Sequence, residues 1–156
     1  MTPEQAKKML LSLATFSRVD TPVILQKRSE VTKQMIKTRI FGEGLNTSYS
    51  DIGIYSGKWS KKRKAKGLQT AYVDLKYTGQ LETSIKTKNT KSGSEIKING
   101  SKQVDKAQYQ EDLQGAKKRL TTMDIFSVSE AELSIFEQSS EQLFLKGIDQ
   151  ILDSYL

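Results

Sequence analysis

Carboxylates, lysines, tyrosines and serines are the side chains available for chemistry here, because the chain contains neither cysteine nor histidine. Without thiols there is no disulfide, no thiolate nucleophile and no Cys-ligated zinc. Without imidazole the commonest general base and metal ligand is gone, and with it Ser-His-Asp and Cys-His catalysis within the chain. One constellation remains. Asp74 is followed, 21 residues later, by Glu95-Ile96-Lys97. This is the loose spacing of metal-dependent nucleases, in which carboxylates hold Mg²⁺ and a lysine steadies the attacking water or the developing charge. The same spacing arises whenever a lysine-rich hairpin follows an aspartate. Ile96 and Ile98 take one strand face and leave Glu95 and Lys97 on the other, as a plain amphipathic edge strand requires. The expectation is therefore a protein that is not an enzyme and uses no cofactor, with a sequence-independent nucleic-acid-binding protein or a Mg-dependent nuclease as the alternative.

The second feature is a basic run. Lys58, Lys61, Lys62, Arg63, Lys64 and Lys66 are six cations with no acid among them, and Trp59 is the chain's one tryptophan. Three roles fit: a contact with a neighbouring subunit anchored by Trp59, a sequence-independent contact with DNA phosphates that weakens steeply with salt, or a solvated loop. Charge is also unevenly placed. Residues 1–110 carry +12 and residues 111–156 carry −5, giving the net +7. Such asymmetry suits a molecule that touches nucleic acid with one surface or stacks on its neighbours by opposite charge. A salt-sensitive meeting between the acidic C-terminal part of one copy and the basic face of the next follows as an expectation.

A chain of 156 residues with 36% apolar content suggests one domain, 1–156, whose core is sufficient but not generous. Such chains gain further burial by assembling. Met9-Leu10-Leu11 is too short for a signal peptide, and nothing approaches the roughly 20 apolar residues that span a bilayer. The expectation is no membrane association and a start in a cytoplasm. The elements needed to position the polar residues can be read along the chain. Thr2-Pro3-Glu4-Gln5 is a capping box opening a helix to about Arg18. Asp20-Thr21-Pro22 opens a second helix to about Ile40, with a thin stripe of Ile24, Val31, Met35, Ile36 and Ile40, stopped by Gly42 and Gly44. Residues 42–70 read as a long, flexible, irregular loop containing the basic run. Ala71–Leu75 reads as a short strand or an extended approach, and residues 85–99 as a hairpin with a polar turn. Gln108–Gly115 reads as a further strand and Lys117–Thr121 as a loop. Ser129-Glu130-Ala131-Glu132 is a capping box for a final helix bearing Leu133, Phe136, Leu143, Phe144, Ile148, Ile151, Leu152 and Tyr155, in which Gly147 either marks a close crossing or merely costs about 1 kcal/mol relative to Ala. The fold class is α+β: an antiparallel sheet of three to five strands packed by N-terminal helices and a long C-terminal helix.

Within that order, Tyr72-Val73-Asp74-Leu75-Lys76-Tyr77-Thr78-Gly79-Gln80-Leu81-Glu82-Thr83-Ser84-Ile85 resembles the "D-T-G-x-L-x-x-S-I" stretch of tailed-phage virion-morphogenesis and tail-completion proteins. These include the HK97-type neck proteins and the Mu-type morphogenesis proteins. A basic, aromatic-containing segment precedes the motif, as Lys58 to Lys66 does here, and a hairpin follows it. A tyrosine-to-glycine segment similar to Tyr109–Gly115 comes next, then an arginine with a hydrophobic passage, matched by Arg119 and Ile125–Glu130, then a final helix. Tyr77 stands where the motif usually has aspartate. The resemblance implies a virion structural protein of the head–tail junction, assembled in the host cytoplasm, and a neck, tail-completion or tail-terminator role. It also implies a homo-oligomeric ring, typically hexameric, contacting connector or tail-tube proteins and, non-specifically, the DNA in the channel. Read from the residues alone, the motif is structural: Thr78-Gly79 makes a tight turn at positive φ, Leu81 and Ile85 anchor a helical turn on the core, and Ser84 bonds locally.

Overall fold

The computed structural model describes residues 1–118 and 122–155. In chain order these form α1 (Pro3–Thr15), α2 (Thr21–Lys37), α3 (Gly57–Lys64), α4 (Gln80–Ser84), β1 (Ile85–Thr90), β2 (Gly93–Ile98), α5 (Ser101–Lys117) and α6 (Glu130–Asp153). The class is α+β. Among the described residues no helix is long and apolar enough to cross a membrane.

Both capping boxes form. Thr2 Oγ1 accepts from the Gln5 N–H while Gln5 Oε1 accepts from the Thr2 N–H, and Ser129 and Glu132 exchange the same two bonds at the start of α6. The expected break between the first two helices is absent. The chain stays helical through a π-helical segment, Phe16–Asp20. Pro22 has no N–H to offer the Arg18 carbonyl, and a widened turn just before it accommodates that loss. A second π-helical segment, Thr38–Glu43, extends α2 and ends at Gly44, whose φ is +71°. A Cβ at Gly44 would also sit 2.7 Å from the Val73 carbonyl oxygen, so both conformation and space require glycine there.

α6 runs antiparallel to this long rod. At one end Glu132 meets Arg39. At the other, Ser12 Oγ and Tyr155 OH lie 2.9 Å apart, and Gly147 lets the Phe16 ring approach so closely that a Cβ would overlap it. α2 lies between α6 and the hairpin. Its buried positions are Ser29, Thr32 and Ile36, with the two hydroxyls turned back to the Leu25 and Arg28 carbonyls. The hairpin pairs Ile85 with Ile98 and Thr90 with Gly93, and α2 covers one face of a two-stranded sheet that would be marginal alone. The apolar core gathers Ile36, Ile40, Phe41, Ile52, Val73, Leu81, Ile85, Ala107, Met123 and Ile125.

Several expectations are corrected. The sheet has two strands rather than three to five. Gln108–Gly115 belongs to α5, because Ala107, Gln114 and Gly115 share one buried helical face. Ala71–Leu75 makes no strand: Ala71 and Tyr72 lie in a bend and Leu75 turns to φ +52°. Residues 42–70 are not one irregular loop. Leu45 bridges Asp51, the Asn46 carboxamide accepts from the Ser48 and Ser50 N–H groups, and the basic run forms α3. Val31 and Leu133, expected in the core, are each 47% exposed. Arg119, Leu120 and Thr121 lie outside the described residues.

One pair ties these parts together. Arg39 is 1% exposed and Glu132 is fully buried. Arg39 Nε donates to Glu132 Oε1 at 2.9 Å, Nη1 to the Ile125 carbonyl at 3.0 Å, and Nη2 to the Ser127 carbonyl at 2.7 Å. Removing one partner leaves an uncompensated buried charge. Arg39→Met should therefore cost about 3–5 kcal/mol in urea unfolding, whereas Arg39→Met with Glu132→Met should recover most of that loss.

Candidate functional site: a basic, aromatic groove

An eight-residue helix that is half lysine has little reason to hold together alone. Its one inward residue supplies the reason. Arg63 is 1% exposed. Its Nε donates to the Gln69 carbonyl and its Nη1 to the Lys76 carbonyl, each at 2.8 Å. Nη2 lies 2.8 Å from both Asp74 carboxylate oxygens, and the guanidinium sits 4.3 Å from the Tyr55 ring centroid. Asp74 also accepts from the Tyr55 hydroxyl at 2.8 Å and from the Lys76 N–H at 3.0 Å. The remaining cations of α3 gather towards its C-terminal end, where the helix dipole favours them.

Two expectations change with this geometry. Arg63, named with the contact residues, is a buried strut and offers nothing to a partner. Asp74, the first carboxylate of the nuclease pattern, has both oxygens occupied by Arg63 and Tyr55. Glu95 lies exposed on β2, and among the described residues no group of three acidic, Cys or His side chains is placed to hold a metal ion. The other contact residues, Lys58, Trp59, Lys61, Lys62, Lys64 and Lys66, are all exposed.

The strut stands at one wall of a groove of about 500 Å³ between α3, the Thr78–Gly79 turn with α4, and α5. Trp59 meets Tyr77 edge to face, with centroids 5.4 Å apart. The Lys62 ammonium lies 5.2 Å from the Trp59 centroid, and that of Lys66 lies 4.2 Å from the Tyr77 centroid. The structural motif behaves as read from its residues. Gly79 takes φ +74° at the start of α4, Leu81 and Ile85 are buried, and the Ser84 hydroxyl donates to the Leu81 carbonyl at 2.6 Å. Thr78, Gly79 and Leu81 also line the groove, a second role that the motif alone did not reveal.

The far wall is α5, which sequence reasoning missed. Gln103, Lys106, Gln110, Leu113 and Lys117 face the groove; their three- and four-residue spacing is helical, and that was the signal available. Tyr109, also lining the groove, is 60% exposed. The Gln103 Oε1 is buried with no hydrogen-bond partner. The groove thus offers an apolar, aromatic floor with Lys106 and Lys117 on one wall and Lys62 and Lys66 over the aromatic rings of the other.

Burial, with a smaller contribution from the Asp74 hydrogen bond, raises the Tyr55 phenol above its ordinary value of 10.0. The neutral hydroxyl is the form that donates to Asp74, so its stabilisation is complete below the unfolded value and lost as pH rises through the higher folded one. In an ultraviolet phenolate titration Tyr55 should ionise late. Tyr55→Phe should delete that late step and lower stability by about 1 kcal/mol or more.

No family model matches the chain, and no curated protein and no solved structure matches it.

Proposed function

We propose that this chain is a structural subunit of a tailed-phage virion. It acts at the head–tail junction as a neck, tail-completion or tail-terminator protein, and it works by contact rather than by chemistry. The observation that supports this best is α1. This 13-residue helix contributes no buried residue, although it carries Met9, Leu10, Leu11 and Leu13. Leu10 and Leu11 are 62% and 60% exposed. A helix of that length gains most of its stability from packing an apolar face. Here the intramolecular partner, α6, covers only part of it, and a neighbouring subunit completes the burial.

The resemblance of residues 72–85 to phage morphogenesis proteins supplies the assembly: a ring, hexameric by that likeness, built in the host cytoplasm and carried in the virion. Connector or tail-tube proteins would be its neighbours. The groove between α3 and α5, with its lysines and Trp59, is a contact surface in this reading.

Negative-stain imaging of the purified protein should show rings with a central hole, with the mass by light scattering falling as salt rises. Leu10→Ser with Leu11→Ser should keep the circular-dichroism spectrum and reduce ring formation at least tenfold. Compact monomers at every protein and salt concentration would overturn the reading.

A further inference from the structure

Besides the α1 face, two further surfaces of this molecule are uncovered, and they are complementary. The first is the groove. Its floor is apolar and aromatic, Lys106 and Lys117 line its α5 wall, and Lys62 and Lys66 lie over the Trp59 and Tyr77 rings that line the opposite wall. Among the described residues none of these four lysines has an acidic partner within ion-pair distance. The α5 wall from Gln103 to Lys117 is about 21 Å long at 1.5 Å per residue.

The second surface is the outer side of α6. Leu133, Glu137, Glu141, Leu145, Asp149 and Asp153 follow one another at four-residue steps and are all exposed. They form a single ridge along the helix. Leu133 and Leu145, at 47% and 53% exposure, flank Glu137 and Glu141. Among the described residues none of these four acids is ion-paired. From Leu133 to Leu145 the ridge spans about 18 Å, which matches the groove wall.

An exposed row that sets leucines between pairs of acids is not what solvation of a helix requires, and unpaired lysines beside an apolar, aromatic groove are not what a core requires. Each asks for the other. The two surfaces belong to different elements, so their union between copies is head-to-tail, the arrangement from which closed rings are built.

We propose that the Leu133–Leu145 ridge of one copy seats in the α3–α5 groove of the next. Its leucines cover the aromatic floor, and Glu137 and Glu141 meet the lysine rim. This rests on the subunit reading above and names the surfaces that such a subunit uses.

The test uses two full-length variants, each altered only at exposed positions. Lys62→Glu with Lys66→Glu spoils the groove and leaves the ridge intact. Leu133→Gln with Leu145→Gln spoils the ridge and leaves the groove intact. Sedimentation velocity in low salt should show wild-type protein assembling and each variant alone monomeric, with self-affinity reduced at least tenfold. Mixed one to one, the variants should form a dimer that grows no further, because one sound ridge meets one sound groove and both remaining surfaces are spoiled.

Variants that assemble like wild type would overturn the ridge-and-groove contact while leaving a ring-forming subunit standing. A capped dimer from the mixture together with open wild-type chains would uphold the contact and remove the ring. A monomeric wild type and mixture would overturn both. Binding of wild type to a single-stranded oligothymidine, lost in the groove variant without any self-assembly, would assign the groove to a polynucleotide and overturn the proposal.

Discussion

Arg39 and Glu132 are the constraint on which the rest of the molecule depends. Taking both charges out of water costs several kcal/mol per ion, so the pair is tolerable only where nearly every polar atom is satisfied. Here the guanidinium also reaches the Leu45 carbonyl and Glu132 Oε2, besides the Ile125 and Ser127 carbonyls. Glu132 Oε2 in turn accepts from the Ser129 N–H at 2.8 Å. One buried side chain therefore draws the end of α2, the turn at residue 45, the passage 125–127 and the start of α6 to a single point. The antiparallel packing of α6 along the α1–α2 rod begins there.

Arg63 repeats the device with a different result. Its three interactions with Gln69, Asp74 and Lys76 hold α3 against an irregular segment that would otherwise have little to rest on. Because this one cation is spent inward, the five lysines of the run and Trp59 are all displayed outward. A basic helix that would repel itself in isolation becomes a fixed wall, and α5 stands opposite. The Thr78–Gly79 turn, read as a structural motif, closes the groove from below as a consequence of building α4.

Charge is distributed with the same division. Of the six acids on α6, only Glu132 is buried; the others face water. Close helix packing relies on small residues rather than on large apolar ones: Ser29 and Thr32 on α2, Ser140 on α6, and Gly147 beneath the Phe16 ring. Serine and threonine are admitted because their hydroxyls return to their own helix carbonyls. The result leaves much of the leucine and valine of α1, α2 and α6 at the surface.

The sequence by itself determined the local structure wherever a short-range rule decides it. The capping boxes at Thr2 and Ser129, the turn at Gly79, the glycine stop at Gly44, the hairpin and the length of α6 are each set by residues within one or two turns of each other. It also excluded thiol and imidazole chemistry outright. The tertiary structure decided which charged residues are inside. Arg39 and Arg63 sit in sequence among solvated cations, and no local pattern separates them, because their partners lie 93 and 11 residues away. It likewise decided that 108–115 is helical, since the glutamines and tyrosine there give weak periodicity and only Ala107, Gln114 and Gly115 are drawn to the core. The groove is the sum of those long-range choices: an inward arginine on one wall, a helix unread in the sequence on the other, and a glycine turn between them.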